Sequence, residues 1–261
     1  MSLQACAELV ARGDPDRFRA AMAAPLAARP VLLPFYAFNV EVARAPWVSA
    51  EPLIAEIRLQ WWADALGEIA AGGQVRRHEV ASPLAKVLLP DDVSLLQCNV
   101  AARRRDAQRV PIGSVDAWRG YLSDTSGALL WAVTRALARE EGRGRDLHGD
   151  AVARARSIGI GCAQGLANYL LAVPEFVARG INPLPEMTGR EFNDLLDEML
   201  RALRQGRAKA TRLQRIAELA AWRARGVLAR ARADHAAVPE GRLDEAPISR
   251  DLSLFWRRLR L

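Results

Sequence analysis

Two carboxylates in this chain have the spacing that a divalent cation would require. Asp64 and Glu68 stand four residues apart beside Trp61 and Trp62, and side chains at i and i+4 of a helix share a face. The same spacing also describes the solvated side of an amphipathic helix. Ile54, Ile57, Trp61, Ala65 and Ile69 run along the other side as an apolar stripe, which accounts for the pattern without a metal. Asp106 follows Arg103, Arg104 and Arg105 and reads as an exposed, self-neutralised segment. The three histidines, His78, His148 and His235, lie on separate segments without metal-ligand spacing. No Cys–His or Ser–His pairing of the kind that activates a nucleophile declares itself. Gly159-Ile-Gly161 sits in helical text rather than after a strand, so close helix packing is expected there instead of a nucleotide loop.

The elements that must position these residues are helical nearly throughout. Ala, Leu and Arg dominate, and β-branched runs bounded by turns are scarce. Asp14-Pro15-Asp16 marks a helix start, with a helix to about Ala24. Pro30 and Pro34 frame the entrance to the next, which carries Phe35, Tyr36, Phe38 and Val42. A long helix is expected from Leu53 to Ala71, ended by Gly72-Gly73. A short helix follows at Pro83 to Leu89, and Asp91 is placed to cap its successor. Val115 to Leu137 reads as a helix or helix pair, Gly142 to Gly144 as a surface loop, and Asp150 to Val173 as a long helix rich in small residues. One or two further helices span Asn193 to Ala236, with an exposed Arg-Ala-rich part from Arg223, before the tail FWRRLRL. There is no internal repeat and no linker. The expectation is a single all-α domain, residues 1–261, of roughly ten helices.

Composition narrows the classes further. The chain has 261 residues, 51% of them hydrophobic, enough for one sizeable core. Its net charge of +7 is almost wholly arginine, since only Lys86 and Lys209 are lysines. That bias fits a solvated basic surface better than a nucleic-acid site. The seven tryptophans, without a strand pattern, form no stacking platform for nucleic acid. Cys6, Cys98 and Cys162 offer neither a disulfide framework nor a zinc site, which fits a reducing compartment. No signal-peptide core and no spanning segment is legible. The expected location is the cytoplasm, with at most peripheral contact at the inner face of the membrane.

Two stretches carry a family resemblance. Asn168 to Pro185, NYLLAVPEFVARGINPLP, resembles the second aspartate-rich signature of squalene and phytoene synthases, N-I-L-R-D-x-x-E-D-x-x-R-G-R-x-Y-L-P. Asn168, Leu170, Glu175, Arg179, Gly180, Leu184 and Pro185 match without a gap, while Ala172 and Phe176 stand where the two aspartates belong. Tyr36 to Trp47 resembles the first signature, Y-A-F-C-R-x-x-D-D-x-x-D. The Y-A-F anchor is present, Ala43 and Trp47 hold the ligand positions, and Val40 and Leu171 replace diphosphate-binding arginines. The resemblance implies the isoprenoid-synthase fold with a central cavity. In the family, facing pairs of carboxylates hold magnesium against a departing diphosphate. With all four carboxylates replaced, it implies no catalytic residue and no metal or cofactor here; magnesium belongs only to the alternative of an active head-to-head prenyltransferase. Glu41 and Glu175 cannot substitute, being about 200° and 100° around their helices from the empty positions.

Other positions survive. Tyr36 matches a cavity-facing tyrosine of the family, Tyr121 in YLSDTSG the tyrosine that opens Y-C-Y-x-V-A-G, and Asn168 the motif asparagine. With Gln164 they are the cavity candidates, although a buried Tyr or Asn also simply satisfies hydrogen bonds between helices. AFNVE at 37–41, RLQWW at 58–62, DLHGD at 146–150 and GCAQG at 161–165 resemble a non-catalytic branch typified by mitochondrial complex I assembly factor 6. That likeness implies a binding or assembly protein with a candidate isoprenoid or lipid ligand and a candidate partner in respiratory complex assembly. The tail residues Phe255, Trp256, Arg257 and Arg258 would suit an anionic membrane surface, or a last helix packed on the domain.

Overall fold

Alanine, leucine and arginine all favour the helix, and the described residues form helices and turns with no strand. The structure, a computed structural model, describes residues 3–49, 51–142, 147, 149–205, 210–259 and 261, with the backbone alone at 247–249. The helices are α1 (Leu3–Gly13), α2 (Pro15–Ala23), α3 (Arg29–Arg44), α4 (Pro52–Ala70), α5 (Ala81–Val87), α6 (Val93–Ala107), α7 (Val115–Leu122), α8 (Ala128–Glu140), α9 (Ala151–Ala178), α10 (Gly189–Gln205), α11 (Arg212–Glu218), α12 (Ala224–Ala233) and α13 (Pro247–Arg258). One hydrophobic cluster runs through them, from Cys6 on α1 to Leu243 near the end of the chain.

Local chemistry sets many of the boundaries. Asp14 caps α2, its carboxylate accepting from the Arg17 amide at 3.0 Å with Pro15 in the first turn. Asp150 caps α9 in the same way, and Thr211 with Gln214 forms a reciprocal capping box on α11. Gly72 ends α4 with a φ of +65°, a backbone only glycine adopts freely.

Several boundaries depart from the sequence expectations. α3 contains both Pro30 and Pro34 instead of starting after them. α9 runs through Pro174 to Ala178, five residues beyond the expected end at Val173. An internal proline removes a hydrogen bond and costs about 3 kcal/mol in an open helix. Here the last turn is held from outside, because Phe176 packs on the Trp47 ring and Pro174 lies beside Gly241. Asp91 is exposed and caps nothing, whereas Asp92 is buried with its carboxylate 3.0 Å from Arg135. The buried face of α4 is Ala55, Leu59, Trp62, Ala65, Leu66 and Ile69, not the stripe through Ile54 and Ile57, which are 39% and 60% exposed. That face packs on α6, where Arg104 and the C-cap residue Gln108 reach out to Glu56 and Gln60. The span from 193 to 236 holds the rest of α10 together with α11 and α12. Arg143, Gly144, Asp146 and His148 lie outside the described residues, and with them most of the DLHGD segment.

Between α7 and α8 the chain does not break. Ser123–Gly127 forms a π-helical turn that joins them. Such a turn frees carbonyls from the α-helical ladder. The Thr125 hydroxyl donates to the Tyr121 carbonyl at 2.6 Å, and the Asn99 amide donates to the Thr125 carbonyl at 3.0 Å. α9 packs directly against this turn.

Candidate binding cavity

α3 and α9 present the two degenerate motifs to one cavity of about 370 Å³. Ala43 on α3 and Trp47, in the 3-10 turn Ala45–Trp47 that continues it, line one side. Ala172 and Phe176, one helical turn apart on α9, line the other. Tyr121, Thr125, Ser126, Gly165 and Asn168 also line it. The Trp47 and Phe176 rings are in contact, with centroids 5.0 Å apart and planes at 49°. Tyr169 adjoins Phe176 at 5.9 Å and donates its hydroxyl to the Pro183 carbonyl at 2.7 Å. An outer cleft of about 560 Å³ shares Arg44, Trp47, Ala172 and Phe176 with the cavity, so the aromatic pair stands between the two spaces.

These side chains do not fit a magnesium–diphosphate centre. A hard cation needs oxygen ligands, and the positions that would supply them carry two methyl groups and two aromatic rings in mutual contact. The acids that do line the cavity are engaged elsewhere. Asp14 pairs with Arg17 and caps α2. Asp106 accepts from the Tyr121 hydroxyl at 2.6 Å and pairs with Arg103 at 3.1 Å. Among the described residues no three His, Cys, Asp or Glu side chains cluster as metal ligands would.

The Arg103–Asp106–Tyr121 group departs from the expectation of an exposed, self-neutralised segment. Arg103 and Asp106 are only about 15% exposed and face the cavity. Successive helical residues point about 100° apart, so the three arginines separate: Arg104 goes to Glu56 and Gln60, and Arg105 to the carbonyls of Val110 and Pro111. Burial drives the Tyr121 phenol well above its usual range against the opposing pull of Arg103. Tyr121 therefore stays protonated and donates a hydrogen bond; as a base it would be inert. The Tyr169 phenol is likewise raised by burial.

Gly161 and Gly165 let α9 approach the π-helical turn. A Cβ on Gly161 would lie 2.4 Å from the Ser126 carbonyl oxygen, and one on Gly165 2.6 Å from the Ser126 hydroxyl. Of the GIG segment, it is Gly161 that needs this closeness; Gly159 would meet only Ala202 at 3.4 Å. The GCAQG stretch thus sets how near the backbone of the turn stands to α9.

Two of the four sequence candidates, Tyr121 and Asn168, are on the cavity wall. Tyr36 and Gln164 are buried at 1% and 4% exposure but do not belong to the lining. Tyr36 lies under Arg17, and its hydroxyl has no hydrogen-bond partner among the described residues. Asp64 and Glu68 are far from forming a shared site: Asp64 accepts from Gln60, and Glu68 pairs with Arg76 at 2.5 Å. His78 stacks on Trp61 at 4.6 Å, and His235 bonds Asn193 at 2.7 Å. Among the lining residues missed in the sequence are Arg17, Arg44, Arg103, Asp106, Arg109 and Tyr169. For Arg103 and Asp106 the available signal was their three-residue spacing, which puts both on the Tyr121 side of α6.

Residues 10–249 match the sequence model of squalene/phytoene synthases. The chain belongs to the squalene/phytoene synthase family. Its fold agrees: a dehydrosqualene synthase solved with a ligand superposes with a TM-score of 0.70 at 16% identity, covering 99% of this chain and 95% of that one. The squalene synthase HpnC from Alicyclobacillus acidocaldarius gives a TM-score of 0.67 at 18% identity, over 88% of this chain and 93% of that one. No curated protein sequence matches significantly. The all-α isoprenoid-synthase fold expected from the sequence is therefore what this family member has. No helix among the described residues is long and apolar enough to cross a membrane.

Proposed function

We propose that this family member binds an isoprenoid or other lipid without condensing it, and works as a binding or assembly protein. One observation carries the reading: the Trp47 and Phe176 rings touch where the family signatures place two of their four aspartates. A diphosphate leaving an allylic carbon needs its charge neutralised as it departs, and these rings supply no oxygen ligand. The remaining cavity is within the size range of small-molecule pockets, and its wall mixes apolar side chains with polar and charged ones such as Asn168, Tyr121 and Arg103. The segments resembling the complex I assembly branch support respiratory complex I as the system served, with a protein of that assembly as partner.

The direct test incubates purified protein with farnesyl or geranylgeranyl diphosphate and magnesium and measures diphosphate release. No release above background is expected. Turnover that a chelator abolishes would overturn the reading and establish the head-to-head prenyltransferase instead. The assembly role predicts that deleting the gene lowers assembled complex I and NADH oxidation, and normal levels of both would refute it. Peripheral contact with the cytoplasmic membrane belongs to the same reading. On α13 and at its C-cap, Leu252, Phe255, Trp256 and Leu259 are each at least half exposed beside Arg257 and Arg258, the composition of an interfacial helix. Vesicles rich in anionic lipid should sediment the protein, and the double variant Phe255→Ser, Trp256→Ser should stay in the supernatant.

A further inference from the structure

Arg109 occupies a backbone position that ordinarily selects glycine. At the end of α6 the Arg109 amide donates to the Asp106 carbonyl at 3.2 Å, and the Val110 amide donates to the Arg105 carbonyl at 3.1 Å. These are the paired bonds of a Schellman cap, whose linking residue is left-handed. Arg109 has φ +57°, the one non-glycine residue with positive φ among those described. A side chain there is strained. In return the guanidinium is held at the cavity mouth: it donates to the Pro46 carbonyl at 3.0 Å and lies 4.2 Å from the Trp47 ring centre.

The cavity around it carries an excess of positive charge. Its charged lining is four arginines (Arg17, Arg44, Arg103 and Arg109) against Asp14 and Asp106, an excess of two positive charges. Arg17 and Arg103 are matched by the two aspartates, and each still buries an Nε with no acceptor. Arg44 and Arg109 pair with no carboxylate among the described residues. Arg44 immediately precedes the 3-10 turn whose Pro46 carbonyl Arg109 binds, so both cations border the same end of the cavity, next to Trp47.

The geometry points to a metal-independent anion site at this mouth, with Arg44 and Arg109 holding the phosphate head of a single-tailed amphiphile whose tail enters the cavity. The site rests on the binding role proposed above, and it replaces metal charge with fixed guanidinium charge. Guanidinium–phosphate bonds are charge-assisted and bidentate, so losing one cation should weaken binding about tenfold or more.

The test titrates the full chain, in excess EDTA, with dodecyl phosphate, dodecanol and inorganic phosphate, by calorimetry and tryptophan fluorescence. Dodecyl phosphate is expected to bind at least tenfold more tightly than dodecanol, and inorganic phosphate much more weakly than either. Arg109→Gly should remove most of the advantage of the phosphate, read as the ratio of dodecyl phosphate to dodecanol affinity. Because glycine suits φ +57°, relief of that strain offsets the lost Pro46 bond and Trp47 contact, so the variant should stay folded and melt close to the parent. Arg44→Gln should weaken dodecyl phosphate binding in the same sense. Dodecyl phosphate binding equal to that of dodecanol, or unaffected by both substitutions, would overturn the anion site while leaving the lipid-binding role standing. Inorganic phosphate binding as tightly as dodecyl phosphate would overturn the amphiphile. Failure of both amphiphiles to bind would remove the anion site and the binding role together.

Discussion

Replacing Gly161 by alanine tests whether the contact between α9 and the π-helical turn is as close as it stands here. The new Cβ would sit 2.4 Å from the Ser126 carbonyl oxygen, 2.8 Å from the Gly127 Cα and 2.9 Å from the Ser126 carbonyl carbon. All three are backbone atoms, so no rotamer change relieves them. Reaching an ordinary 3.4 Å contact requires the two segments to part by about 1 Å. Overpacking of that kind costs about 3 kcal/mol, and alanine's better helix propensity returns at most about 1 kcal/mol. A net loss of about 2 kcal/mol follows, or roughly 4–8 °C in Tm for a domain of this size. Gly67→Ala in α4 is the control. Its Cβ would meet nothing within 4 Å, so it should gain about 0.5–1 kcal/mol. Calorimetric melting of the two variants should therefore move in opposite directions. Gly161→Ala should also weaken cavity ligands, since Ser126 and Gly165 line the cavity. A Gly161→Ala protein melting at or above the parent temperature would refute the packing argument.

Three further expectations follow from the geometry. Trp47→Ala and Phe176→Ala should show a coupling of about 0.5–1.5 kcal/mol in a double-mutant cycle by urea denaturation, the worth of a ring pair beyond its burial; strict additivity would mean the rings do not interact. Tyr36→Phe should leave stability unchanged or raise it by up to about 1 kcal/mol, because it removes a buried hydroxyl with no partner, and a loss above that size would show the hydroxyl to be bonded. Alkaline pH should destabilise the fold. Burial raises Cys162 from 9.0 to about 12, with Glu198 and Asp124 adding to it, and burial raises Cys6 to about 11. Both are groups raised on folding, so their contribution is complete below pH 9.0 and is lost as pH rises through 11 and 12. A urea midpoint that does not fall between neutral pH and pH 11 would contradict this.

The fold was legible because its signals are local. Helix periodicity, the Asp14 cap and the Gly72 stop each act within a few residues, and each appears where the residues place it. The degenerate motif positions were legible for the same reason, since i and i+4 on one helix determine that Ala172 and Phe176 share a face. What was hidden depends on partners distant in sequence. Arg103 and Asp106 look solvated until Tyr121, 15 residues beyond Asp106, closes over them. The face of α4 was misassigned because Ile54 and Ile57 are apolar yet stay in solvent, and only α6 decides which stripe is buried. Nothing local shows that Arg109 would hold a glycine conformation, or that α9 would continue through Pro174 to reach Trp47.

The π-helical turn also says something about what lengths this chain can tolerate. It holds one residue more per hydrogen-bonded loop than an α-helix, so it behaves as an insertion absorbed inside a helix. Deleting one residue from 123–127 would let α7 and α8 fuse in a single α-register, rotating α7 by about 100° against α8. Tyr121 would swing away from Asp106 while Leu129 and Trp131 kept their places in the core. The polar end of the cavity is thus set by a count of residues as much as by their identity, and relatives lacking that extra residue would have to build this wall from other side chains.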